Sequence, residues 1–300
     1  MAKLITIDLG FQGFSEIIAV YAEATGDGRV VLFESGPAST VGAVEAGLAG
    51  IGFTVEDLAA IFVSHVHLDH SGAAGVLARR SGCTVFAHPI GAPHLVDPHA
   101  KLLPSAERLY GAMLAPLWGT TEAVPFDCLG PVENGDSVRV GGLEVTGWHT
   151  PGHAVHHVAW QVEGEVVTGD VAGVRFPGAD HVLPPMPPPD IDVEIWRRSL
   201  DLLRGLQPER LLLTHYGAFS DAERHLDELE ARLLSWRDVA ERILAEGGGK
   251  DDLAEALLAL DEAEITTETL PVETVARYRR LCPMVENSAG LYRYVAKRVH

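Results

Sequence analysis

Cysteine is scarce in this chain: Cys83, Cys128 and Cys282 are the only three, far apart and in no CxxC pair. An odd, scattered set makes neither a disulfide framework nor a Cys-based metal site. It fits a reducing compartment, with each thiol packed as a small apolar group. Positive charge is also thin. Lys and Arg number 23 against 42 Asp and Glu, for a formal net charge of −19. With no dense Lys/Arg cluster, the electrostatic footprint of a nucleic-acid binder is missing, and so is that of a protein held to an anionic membrane. No apolar run approaches the roughly 18 residues needed to span a bilayer. The opening MAKLITIDLG has no long apolar core and no small-residue cleavage site, so it reads as a first strand rather than a signal peptide. Together these absences predict a cytoplasmic protein that acts on a small molecule and binds neither nucleic acid nor membrane.

Histidine is what the chain has in number, 14 residues, and their placement is informative. Residues 4–9, 16–22 and 30–34 read as short strands, with the hairpin-like turn TGDG before the third. A helix is expected over 40–48, with Val41, Val44 and Leu48 on one face, and a helical turn at 55–58. Residues 60–64 (AIFVS) read as a buried strand. A helix over 71–80 and a strand over 84–87 follow. Residues 89–129 form an irregular insert broken by Pro93, Pro98, Pro104, Pro116 and Pro125, with a helix near 106–114. Such an insert either caps a substrate pocket or is a plain surface excursion. Strands return at 137–140, 143–148, 157–162 and 165–169, then a proline-rich loop at 183–189, a helix over 192–204 and a strand over 210–214. Beyond Gly217 the chain reads as helical over about 220–246, 250–260 and 271–281. The expected organisation is a catalytic domain over 1–220, carrying the insert, and a helical extension over 221–300.

The chemistry concentrates in His65-Val66-His67-Leu68-Asp69-His70, between the buried strand and the helix. Four donors on one strand-to-helix loop are held by a rigid scaffold. In extended chain His65 and His67 point the same way, and Asp69 and His70 follow as the chain turns. Imidazole suits Zn, Mn or Fe, and a carboxylate compensates charge. Three more donors stand after strands: His153 in Thr-Pro-Gly-His, Asp170 in Gly-Asp, and His215 in Thr-His. A lone His or Asp at a strand end is usually structural. Four such places under one rule point to a metal centre.

The order HxHxDH, TPGH, GD and a late His resembles the metallo-β-lactamase superfamily, in its broad glyoxalase II-like hydrolase branch, over roughly residues 4–220. The resemblance implies an α+β fold, a four-layer αββα sandwich, here with a C-terminal helical extension. It implies His65, His67 and His153 on a first divalent metal, Asp69, His70 and His215 on a second, and Asp170 bridging. Zinc is the expected metal, with manganese or iron as alternatives. The implied activity is hydrolysis of a small ester, thioester or lactone by a hydroxide bridging the metals, with Asp69 orienting its proton. A mononuclear-iron oxygenase resembling persulfide dioxygenases, built on His65, His153 and Asp170, is the alternative; a non-catalytic metal-binding domain is the third.

Other residues carry smaller expectations. Glu34-Ser35-Gly36 stands where relatives often have an Asp-Thr-Gly turn, and is expected to be a change that supports the ligands or the fold while leaving the ligand set as it is. Tyr216 is a candidate catalytic phenol, donating to a carbonyl oxygen. Of His156 and His157, one is expected in the core and one in solvent. His88, His94, His99 and His181 are expected on solvated loops, with His181 the best of them for substrate contact. Trp118, Met113 and Leu114 form either an apolar wall over the metals or core. Leu226, Leu229, Leu233 and Trp236 share a helical stripe that packs onto the domain or a partner chain, and a homodimer is possible through the tail or the insert. No basic cluster in the tail matches the glutathione-binding role of the helical part of glyoxalase II.

Overall fold

The computed structural model describes residues 4–268 and 270–299, so residues 1–3 and 300, the ends of the two expected domains, lie outside the described residues. The described strands make two six-stranded sheets. The first takes β1 (Ile5–Asp8), β2 (Ala19–Ala24), β3 (Val30–Phe33), β4 (Leu58–Phe62), β5 (Thr84–Ala87) and β6 (Leu129–Pro131) in that order. The second takes β7 (Ser137–Val140), β8 (Leu143–His149), β9 (Val158–Val162), β10 (Glu165–Gly169), β11 (Arg210–Leu213) and β12 (Gly217–Phe219). Helices α1 (Val41–Gly50), α2 (Leu68–Ser71), α3 (Ala74–Ser81), α4 (Ala92–Val96), α5 (Leu102–Tyr110) and α6 (Leu114–Trp118) fall among the first strands. Then come α7 (Val193–Gly205), α8 (Ala222–Ala245), α9 (Lys250–Glu268), α10 (Val272–Leu281) and α11 (Met284–Val299). The expected two sheets, flanking helices and C-terminal helices are all present. The chain divides into two compact units: residues to His149 with His156–Gly169, and Thr150–Val155 with the described residues from Asp170 on.

In the first unit, β3, β4 and β5 run parallel and are apolar nearly throughout, as strands buried on both faces must be. Phe33, Phe62 and Phe86 stack from one strand to the next at 5.0 and 4.9 Å, and Trp160 of β9 meets Phe62 edge-on at 5.1 Å. That contact joins the two sheets within this unit. Helix α1 turns Val44 and Leu48 inward, and α3 turns in Ala74, Leu77 and Ala78. The helix expected over 71–80 is in fact two, α2 and α3, split after Ser71. The helix expected near 106–114 begins earlier, at Leu102, and ends at Gly111, whose φ of 51° and ψ of −128° break the α-helical run.

In the second unit, α7 starts at the cap Asp192, whose carboxylate accepts from Ile195 N–H at 3.0 Å. Helix α8 buries Leu226, Leu229, Leu233 and Trp236, so the expected stripe is packed inside a single chain. Two elements differ from expectation. Residues 217–219 form strand β12 against β11 just ahead of the helix expected from about 220, and α11 follows α10 in the part of the helical extension for which no individual helix was specified.

Candidate metal centre

Each expected donor follows the C-terminal end of a strand, where the chain leaves the sheet. After β4 the chain bends through residues 64–67, and His67, itself extended, stands at the cap position of α2, which carries Asp69 and His70. His65 and His70 are buried; His67 and Asp69 are half-buried. Nε2 of His65 and Nδ1 of His67 come to 2.8 Å of each other, turned to a common point. Nε2 of His70 lies 3.6 Å from Asp69 Oδ2.

A buried carboxylate fixes these rings. Glu34, fully enclosed, accepts from Ser64 N–H at 3.0 Å, from Ser64 Oγ at 2.5 Å and from His70 Nδ1 at 2.9 Å. A carboxylate only accepts, so His70 carries its proton on Nδ1 and keeps the Nε2 lone pair for a metal. Ser64 Oγ gives its proton to Glu34 and therefore accepts from His65 Nδ1 at 2.9 Å, which frees Nε2 of His65 in the same way. Ser35 N–H and Oγ both donate to the carbonyl of His70, at 2.8 and 3.0 Å. The Glu34-Ser35-Gly36 turn, expected to support the ligands or the fold, bonds the ring and the carbonyl of the candidate ligand His70. Its contacts cross about thirty residues of sequence, which no local pattern reveals. Glu34 sits at φ 64°, a left-handed conformation that costs a non-glycine residue about 1–2 kcal/mol.

His156 and His157 are both buried, with rings 6.3 and 5.1 Å from that of His65. The expected alternation fails because β9 begins only at Val158; in the turn before it, Val155 takes the solvent side. His88 is buried against His149, ring centroids 4.0 Å apart, not solvated as expected. Burial first, then the neighbouring imidazole, pushes its pKa down to about 4. His99 is exposed and His94 half-buried, its ring 6.2 Å from His156. Trp118 stacks on Phe11 at 5.4 Å as core, while Met113 is exposed. Cys83 and Cys282 are buried and Cys128 half-buried, all three free.

The second unit holds the other donors. His153, Asp170 and His215 are buried. Asp170 divides its oxygens between two imidazoles, with Oδ2 at 3.3 Å from His153 Nε2 and Oδ1 at 3.5 Å from His215 Nε2. The carbonyl of Pro185 accepts from His153 Nδ1 at 2.8 Å, so this ring too carries its proton on Nδ1. Trp196 meets His153 edge-on at 5.7 Å, and its indole N–H donates to Val171 O at 2.7 Å. The glycine of Thr-Pro-Gly-His is obligatory. Gly152 has φ +135°, and a Cβ there would come within 2.3 Å of the Trp196 backbone. Tyr216, half-buried, follows His215 between β11 and β12. His181 is buried and bonded to Asp261 at 2.7 Å, a packing role and not the solvated loop position expected. Sequence reasoning named the seven candidate donors and marked the Glu34 turn as a departure; the contacts of Glu34 with Ser64 and His70, and of the Pro185 carbonyl with His153, carried no sequence signal.

Residues 15–215 match the family model described as the metallo-beta-lactamase superfamily. The metallo-beta-lactamase fold-containing protein ST1585 of Sulfurisphaera tokodaii is 29% identical over 75% of this chain and 83% of its own length. Its crystal structure overlays 78% of this chain and 87% of that one with a TM-score of 0.65. A metallo-beta-lactamase family protein from Thermus thermophilus, TTHA1429, shares the fold over 99% of this chain and 93% of its own, with a TM-score of 0.70 at 19% identity. A hydroxyacylglutathione hydrolase of Bdellovibrio bacteriovorus is 29% identical over 56% of this chain, which spans about half (53%) of that enzyme.

Proposed function

The chain belongs to the metallo-β-lactamase superfamily, and from that premise we propose that it is a hydrolase using two divalent metal ions on a small ester, thioester or lactone. His65, His67, His153 and Asp170 would hold one ion, and Asp69, His70 and His215 the other, with Asp170 between them. The observation that carries this reading is the donor grouping within each unit: His65 Nε2 and His67 Nδ1 meet at 2.8 Å in the first, and Asp170 stands between His153 and His215, at 3.3 and 3.5 Å, in the second. Five imidazoles and two carboxylates suit zinc first, and manganese or iron next, over magnesium or calcium. Bound there, the ions would acidify a water to near neutral pH and polarise the scissile carbonyl.

The chain's own groups do the rest. Glu34, Ser64 and the Pro185 carbonyl hold three rings with Nδ1 protonated and Nε2 turned to the centre. Asp69, only half-buried, orients the proton of the attacking hydroxide. Tyr216 donates a hydrogen bond from its phenol to the substrate carbonyl oxygen. Asp170, bearing on an imidazole with each oxygen, favours two ions over one.

Plasma mass spectrometry of the purified protein tests the reading. About two zinc or manganese atoms per chain, with turnover on a panel of esters, thioesters and lactones, is the expected result. One iron per chain, no second metal and oxygen uptake with persulfides would overturn it. On any substrate turned over, an unchanged rate for Tyr216→Phe would remove the phenol from the mechanism.

A further inference from the structure

The residues between Asp170 and α7 are gripped by the C-terminal helices at one place after another. Tyr278 of α10 receives Phe176 N–H at 3.4 Å and donates its hydroxyl to the carbonyl of His181. Asp261 of α9 bonds the His181 ring, and Arg232 of α8 bonds the carbonyl of Val182. Asn287 of α11, itself buried, accepts Met186 N–H on Oδ1 at 2.8 Å. One turn further on, Gly290 lets the helix touch this segment: a Cβ there would lie 2.0 Å from Met186 O and 3.0 Å from the Pro187 carbonyl carbon. The residue just before Met186 is Pro185, whose carbonyl fixes His153.

We infer that Asn287 and Gly290 are positioning residues for His153. They hold Met186, Met186 places the Pro185 carbonyl, and that carbonyl keeps the His153 proton on Nδ1 and Nε2 aimed beside Asp170. The inference rests on the reading of His153 as a metal ligand. Partners of this kind around a ligating imidazole are worth roughly ten- to hundredfold in metal affinity. The tail is thereby part of the metal centre without contributing a donor.

The test is zinc affinity of the full chain by chelator competition, with the His153 ring nitrogens followed by long-range proton–nitrogen NMR. Asn287→Leu and Gly290→Ala are expected to bind zinc roughly ten- to hundredfold more weakly and to lose the fixed Nδ1–H signal of His153. Asn287→Asp keeps an oxygen acceptor and is expected to retain both. Tyr292→Phe, also on α11 but bonded instead to Gly248 O, is expected to leave zinc affinity unchanged. Thermal melting accompanies each variant, and if Asn287→Leu does not fold, Gly290→Ala decides. Wild-type affinity in Gly290→Ala, with His153→Ala clearly weakened, would overturn the positioning role while sparing the ligand reading. Wild-type affinity in His153→Ala would overturn the ligand reading itself.

Discussion

Glu34 lies outside the candidate donor set, yet its contacts fix two of the candidate ligand rings. Its carboxylate is the acceptor that His70 and Ser64 share, and Ser64 relays its effect to His65. Glu34→Ala strands a buried imidazole N–H, a hydroxyl and a backbone N–H. We expect zinc affinity to fall roughly ten- to hundredfold and stability by about 1–3 kcal/mol, read by chelator competition and urea unfolding. Unchanged affinity would show that the rings hold themselves. The seven donors were legible because residue type and spacing advertise them. Glu34 was not, because its significance is burial and a partner thirty positions away. His181 misled for the related reason that a loop in sequence is not always a surface in space: Asp261, which bonds it, lies some eighty residues on.

At the scale of elements, the strand ends were the most legible feature. Apolar strands with a donor just past the last residue stand out, and β4, β8, β10 and β11 each deliver one. Helix α7 shows how such an end is fixed. Its residue Ser199 donates to Pro151 O at 2.6 Å, its cap Asp192 donates its N–H to Gly152 O at 2.9 Å, and its Trp196 backbone lies against Gly152. Gly152→Ala forces the two elements apart. It is expected to cost about 3 kcal/mol or more, the scale of other strained-backbone changes, and to lower zinc affinity through His153. Differential scanning calorimetry and the chelator assay measure the two; an unmoved Tm would mean that α7 yields without penalty. Two elements escaped the sequence. Strand β12 has three residues, too few for alternation to register. Helix α11 buries Asn287 and Ser288 among its inward residues, so polar side chains interrupt the apolar period.

For the molecule as a whole, the two units each carry a histidine that folding keeps neutral: His88 in the first and His225 in the second, both with pKa pushed down to about 4 chiefly by burial. The unfolded chain takes up these protons near the ordinary value of 6.5, the folded one only near 4. The unfolded state therefore binds more protons in between, and stability present above pH 6.5 is lost as pH falls toward 4. Melting temperatures at pH 7 and pH 5 should show the drop, and His88→Gln should make it smaller; equal drops would mean that His88 has no part in it. Among the described residues no helix is long and apolar enough to cross a membrane. The grip of α11 on Met186 also has a consequence in time. Asn287 lies more than a hundred residues beyond His153. At roughly 5–20 residues per second, a ribosome needs on the order of ten seconds to travel that distance. For most of that interval the nascent chain carries His65, His67, Asp69, His70, His153 and Pro185, but not the Asn287 contact that holds Met186 beside Pro185. The support that the tail gives to His153 is thus complete only when translation nears its end.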